Sequence, residues 1–265
     1  MNNIPESYWK ELEEKLEQLP GNLSVVYRNL SNGEEFQYRE GELHIAASVI
    51  KLFLMAAVYQ GFEDGKYQKT DRILIKRENC VPSCGVINYL QEEQNLWVRD
   101  LVELMVIVSD NTATNALFDF VGEEELNKFI HETLHMPNTA FRRKMFDSKR
   151  AAMGIENHIT AEDVAQLLEK IYRGTLISEE ASREMYQILT HQRLNGKVPF
   201  YLHALPKAPV IAHKTGEDSG VTHDVGVIEG AQPFIFVFLG NDTNVPEYEK
   251  LMAGTSLDLY KMLNC

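Results

Sequence analysis

The residues best suited to chemistry in this chain fall into three short groups. Ser48 and Lys51 stand near the start of an otherwise apolar run over residues 46–57, AASVIKLFLMAA. A desolvated ammonium is costly unless it is paired, neutralised or used. Three positions apart on a helix, the two side chains share a face, which puts the amine within reach of the hydroxyl. Desolvation by Val49, Leu52 and Phe53 favours the neutral amine, a base able to take the serine proton. A serine in the first turn also has the positive end of the helix dipole to steady its alkoxide. Ser109-Asp110-Asn111 follows the apolar stretch 101–108, and Lys214-Thr215-Gly216 ends a strand-like segment. Singly these read as a snorkelling lysine, a helix cap and a strand running into a glycine turn. Together they are polar groups at element ends, suited to a cleft.

The elements that must position them follow from hydrophobic period. Residues 7–19 carry apolar positions at helical spacing and stop at Pro20-Gly21. Strand-like runs at 23–28 and 35–38 flank Ser31-Asn32-Gly33, a hairpin signal. From 48 to about 189 nearly every readable segment is helical, including 96–108, 112–120, 123–134 and 161–172 after the cap Thr160, and no convincing strand interrupts the stretch. Strand character returns at 210–214, 223–228 and 234–239, before a closing helix over 246–263. The sheet fragments lie at opposite ends of the chain. The economical fold is therefore α+β, an antiparallel five-stranded sheet flanked by terminal helices with an inserted all-helical lobe. Residues 1–45 and 190–265 would form the sheet lobe, and 46–189 the helical lobe carrying the nucleophile helix.

Composition narrows the partners. With 265 residues, 39 acidic against 26 basic and a net charge of -13, the chain has no general affinity to offer nucleic acid or an anionic membrane. Its longest apolar run is broken by Lys51, well short of the roughly 20 residues of a membrane span. Cys80, Cys84 and Cys265 are odd in number and lack C-x-x-C spacing, so unpaired thiols are expected rather than a zinc knuckle or disulfide framework. The first residues lack the basic start and apolar stretch of a signal peptide, which reads as cytoplasmic, or as extracytoplasmic if a leader was removed.

Ser-x-x-Lys, Ser-Asp-Asn and Lys-Thr-Gly, in this order, resemble the signature set of class A β-lactamases and penicillin-binding proteins. Residues 46–51, 108–115 and 213–216 look like class A segments with similar separations, and the resemblance spans roughly 12–259. It implies that Ser48 is the acylated nucleophile and that Lys51 accepts its proton directly or through water. Ser109 relays a proton toward the leaving nitrogen, Asn111 holds the substrate's amide side chain, and Lys214 and Thr215, beside Gly216, attract its carboxylate. The backbone N–H groups of Ser48 and Glu217 would form the oxyanion hole. The implied partner is a small-molecule β-lactam or an acyl-peptide or ester, with no metal or organic cofactor.

The resemblance is incomplete. Class A enzymes carry Glu-x-x-Leu-Asn between the second and third motifs, and its glutamate activates the deacylating water. Here residues 142–157 offer only Asp147 and Glu156. Asp147 is the better placed as a deacylation base, although its short side chain and basic neighbours suit a surface ion pair. Acylation with a persistent ester is the expected consequence. A D-Ala-D-Ala peptidase or esterase of the same fold, or a penicilloyl-binding sensor that never turns over, are the alternatives.

A rival motif, His131-Glu132-Thr133-Leu134-His135, matches H-E-x-x-H and would make a zinc peptidase if a helix set both imidazoles on one face, with Glu156 as a third ligand. Pro137 stops that helix almost at once, so a surface helix end is the plainer reading. His223-Asp224, on the strand after the third motif, is expected to face solvent. Cys80 and Cys84 flank Val81-Pro82-Ser83 in a loop that would overhang the site.

Overall fold

The computed structural model describes residues 3–82 and 84–264; Ser83 and Cys265 lie outside the described residues. Five antiparallel strands form the main sheet, in the order Glu35–Tyr38, Asn22–Asn29, Phe234–Asn241, Val221–Ile228 and Ile211–Asp218. The two N-terminal strands are joined as their sequence predicts. Asn29 Oδ1 accepts the Ser31 and Asn32 N–H groups, and Gly33 takes a left-handed φ of 75°, which only glycine adopts without strain. Three C-terminal strands then complete the sheet, with Val26 opposite Val237 and Val237 opposite Val225.

Alternation along the strands sends side chains to two cores. Val25, Tyr27, Phe236 and Phe238 pack beneath the terminal helices Glu6–Gln18 and Val245–Asn264, on Leu12, Leu16, Met252 and Leu259. Val26, Val225, Ile235 and Val237 face the other way and join the core of the helical region. The central element there is helix Lys51–Glu63, whose residues from Lys51 to Tyr59 are all buried. A helix apolar all round belongs inside a bundle. Helices Val98–Ile107, Asn111–Val121, Ala161–Tyr172 and Glu179–Thr190 share this core. Thr160 caps Ala161–Tyr172 by accepting the Asp163 N–H, as its position predicts.

Two features differ from the sequence reading. Short strands occur within 48–189: Arg72–Ile75 pairs with Gln94–Trp97, and His158–Ile159 pairs with His44–Ile45. Strands of two to four residues are too short for a period-2 pattern to announce them. The helix predicted over 123–134 is α-helical only over Glu123–Lys128 and continues as a π turn, Phe129–Thr133.

Candidate active site

The chain enters the site along His44–Ile45, whose polar groups are anchored from the sheet. The buried His44 ring lies 2.8 Å from Ser24 Oγ and 3.0 Å from Asn241 Oδ1, and burial pushes its pKa down to about 4. His223 Nε2 donates to the Ile45 carbonyl at 2.8 Å while the Gly240 N–H donates to its Nδ1. Ala47 then takes φ 42° and starts a 3₁₀ turn, Ala47–Ile50, that runs into helix Lys51–Glu63. Ser48 thus sits on a 3₁₀ turn rather than on the α-helix itself. At three residues per turn, positions i and i+3 eclipse, so the turn still sets Lys51 on the same side as Ser48, and the Lys51 N–H donates to the Ser48 carbonyl.

The second group is held by Asp110. After helix Val98–Ile107, Ser109 takes φ 54°, a conformation that costs on the order of 1–3 kcal/mol and survives where surroundings impose it. Asp110 Oδ1 caps helix Asn111–Val121 through the Ala113 N–H at 2.9 Å, while Oδ2 accepts the Val86 and Ile87 N–H groups at 2.7 and 2.9 Å. That wrap requires Gly85, where φ is 111° and a Cβ would lie 2.3 Å from the Asp110 carboxyl carbon. It also delivers Cys84 to the cavity wall.

The third group lies on the sheet's edge strand, Ile211–Asp218. A Cβ on Gly216 would come within 3.1 Å of Val49 and 3.0 Å of His223, so glycine lets this edge approach the Ser48 turn. Lys197, which sequence reasoning missed, is buried beneath it. Its Nζ donates to the carbonyls of Gly216 and His223 at 3.1 and 3.2 Å and reaches Glu217 at 3.2 Å. His223 and Asp224 do not face solvent. Both are fully buried, because the Val221–Ile228 strand is covered on both faces. Asp224 accepts from Val198 N–H at 3.0 Å and lies 2.8 Å from His213 Nδ1.

These segments converge on two lysines that are both 0% exposed. Lys51 Nζ lies 2.8 Å from the Ser109 carbonyl, 2.9 Å from Ser109 Oγ and 2.8 Å from Asn111 Oδ1. Lys214 Nζ donates to Ser109 Oγ at 3.0 Å and to the Thr215 carbonyl at 2.8 Å. Burial, then repulsion from Lys214, holds the Lys51 pKa well below the usual amine range. Burial likewise brings Lys214 down to about 7, against an opposing pull from Cys84 and Asp224. A neutral amine has two hydrogens and a lone pair. Lys51 can therefore donate to the Ser109 carbonyl and Asn111 while the Ser109 hydroxyl donates to it, giving a proton path from amine to amine through Ser109. None of these contacts reaches Ser48, which lines the adjoining cavity.

That cavity holds about 470 Å³, and Ser48, Ser109, Asn111, Thr215, Glu217 and Asp147 are among the residues that line it. Lys51 and Lys214 are not among its lining residues and meet it through Ser109. Among the described residues Asp147 closes no ion pair; it interacts with Arg150 through the field of its charge and through a helix cap. Its Oδ1 accepts the Arg150 N–H at 3.0 Å and caps helix Ser148–Ala152. Glu156 is paired with Arg143 at 2.6 Å. Asn115 binds both backbone groups of Met145, accepting its N–H at 2.8 Å and donating to its carbonyl at 3.0 Å. Met145 and Phe146 so enter the cavity wall. The one signal for Asn115 was its place a turn beyond Asn111 on the same helix.

The H-E-x-x-H segment does not form the face zinc needs. His131 and His135 are both exposed, the π turn spoils the four-residue repeat, and His135 follows with φ 61°. His131 Nε2 lies 2.9 Å from the Thr139 carbonyl. Among the described residues, no three His, Cys, Asp or Glu side chains are grouped to hold a metal ion. Among them, too, no helix is long and apolar enough to cross a membrane.

A five-stranded antiparallel sheet with this helical region set against it is the fold of the β-lactamases and related penicillin-binding proteins. The crystal structure of a β-lactamase from Sphaerobacter thermophilus superposes with a TM-score of 0.87 at 27% identity, over 98% of each chain. The structure of PBP-A does so with a TM-score of 0.86 at 23% identity, over 98% of this chain and 97% of that one. The Beta-lactamase enzyme family matches residues 7–263, and the chain belongs to it. A β-lactamase of Rhodobacter capsulatus is 24% identical over 237 residues, 88% of this chain and 79% of that protein.

Proposed function

We propose that the protein opens β-lactam amides through an ester on Ser48. Ser48 Oγ attacks the lactam carbonyl and its proton passes to neutral Lys51, directly or through one water. The N–H groups of Ser48 and Glu217 receive the oxyanion; the second belongs to a strand at the sheet edge, where one side of the backbone is left unpaired by the sheet. The carbon–nitrogen bond then breaks and the nitrogen takes a proton from Ser109, which is replenished from Lys51 or Lys214. Asn111 orients the acyl amide, and Lys214 with Thr215 and Gly216 receives the substrate carboxylate. The observation that carries this reading is the meeting of Lys51, Ser109 and Lys214 within 3.0 Å contacts beside the cavity that Ser48 lines.

The decisive experiment is intact-mass spectrometry over time with a penicillin and a cephalosporin. The parent chain should gain one acyl mass, and Ser48→Ala should gain none. An adduct on the alanine variant would place the nucleophile elsewhere.

A slow second half-reaction is favoured by the cavity wall. The apolar Met145 is pinned in that wall by Asn115, and Glu156 is committed to Arg143. Asp147 is the base we assign to hydrolysis of the ester. Asp147→Asn keeps the helix cap, since asparagine caps as well as aspartate. It should lengthen the life of the ester by about tenfold or more; an unchanged lifetime would remove Asp147 from the mechanism. An ester that never hydrolyses in the parent chain would make the protein a penicilloyl-binding sensor.

A further inference from the structure

A second cavity, also of about 470 Å³, lies on the other side of the Met145–Asp147 segment, and those three residues line both. Its apolar surface comes from Ile73, Ile75, Val81, Ala116 and Met145. At its rim stand Leu74 and Phe146, large apolar side chains left 53% and 52% exposed, and an ion pair between Lys144 and Asp119 at 2.6 Å. Glu78, Asn79, Thr112 and Asn115 line the cavity as well, so apolar and polar side chains share the wall, with a few polar groups available to orient a small molecule. The partition is fixed at its backbone and soft in its side chains. Asn115 clamps the Met145 peptide from both directions, and Phe146 is held at φ 64°. Methionine, unbranched and polarizable, is a side chain that yields to a ligand.

We propose that this cavity is a subsite for an apolar extension of the acyl group, so that preferred substrates carry an aliphatic chain reaching past Met145 and Phe146. The inference rests on the acyl-enzyme reading above, and its test separates the two. Penicillins differing only in the 6-acylamino chain, acetyl against octanoyl, are compared by the rate of adduct formation. The octanoyl compound should react about tenfold faster, as burial of two or more methylenes would give. Ala116→Phe fills the second cavity without lining the first. It should abolish that advantage and leave the acetyl rate unchanged, and Leu74→Ser at the exposed rim should reduce it. Calorimetry of N-octanoylglycinamide on Ser48→Ala tests the subsite without any chemistry: binding lost in the Ser48→Ala, Ala116→Phe double variant supports it even if no ester ever forms. Equal acetyl and octanoyl rates, or binding that survives Ala116→Phe, would overturn it. Failure of every penicillin to acylate the parent chain would instead sink the Ser48 mechanism.

Discussion

Lys51 and Lys214 are both shut away from solvent, with the Ser109 hydroxyl between them. Two ammonium groups so placed repel each other, and burial penalises each, so both amines are pushed toward their neutral forms. Lys51 must be neutral to act as a base, which gives acylation an acid limb as pH falls through its lowered pKa. Lys214 must be charged to draw a carboxylate, and its pKa of about 7 gives an opposite limb: attraction is present below that value and lost as pH rises through it. Acylation by an anionic penicillin, followed from pH 5 to 9, should therefore decline above about 7. Lys214→Arg, whose guanidinium stays charged, should keep whatever rate it has across that range. A parent profile that is flat from pH 6 to 9 would show that Lys214 does not supply the charge.

At the scale of elements, the site is a matter of where short irregular pieces are pinned. The 3₁₀ turn at Ser48, the left-handed Ser109 and the loop wrapped on Asp110 through Gly85 each end or begin a regular element. The Met145–Asp147 segment is fixed in the same manner by Asn115, on the helix that starts from the second motif. A carboxylate on that anchored backbone would enter the cavity that Ser48 lines. Met145→Glu, a change of similar length, should then shorten the ester's lifetime by about a hundredfold, the ordinary worth of a placed general base. Time-resolved intact mass reads this directly, and an ester as durable as the parent's would show that the Met145 position is not within reach of the acyl carbon.

Across the whole molecule, the sheet and the helical region are tied by packing and by polar contacts, of which Arg28 makes the largest cluster of ion pairs among the described residues. Arg28, on the strand Asn22–Asn29, contacts Glu169 at 2.8 Å and Glu162 at 3.3 Å on helix Ala161–Tyr172, and Glu35 at 3.4 Å on the neighbouring strand. Its side chain is only 14% exposed, so removing it strands Glu162 and Glu169, which are themselves partly buried. Arg28→Leu should lower stability by about 2 kcal/mol, read as a lower urea midpoint at unchanged slope. A loss under about 0.5 kcal/mol would class the cluster with ordinary surface pairs.

Period and punctuation announced much of this fold in advance: the Asn-Gly hairpin, the Thr160 cap and strands at both ends of the chain, while the order of three short polar groups singled out Ser48, Ser109 and Lys214 as candidates. Those signals are local, because a strand or helix face is written within a few residues of itself. What only the tertiary structure decided is which polar groups are buried together. Lys214 and Ser109 meet from 105 positions apart, and His223 holds Ile45 from 178. The burial of His223 and Asp224, the support of Gly216 by Lys197 and the clamp of Asn115 on Met145 all depend on such meetings. The apolar stretch around Lys51 announces its burial, but the repulsion from Lys214 that adds to it comes from a neighbour distant in the chain, so no short stretch of sequence could record it.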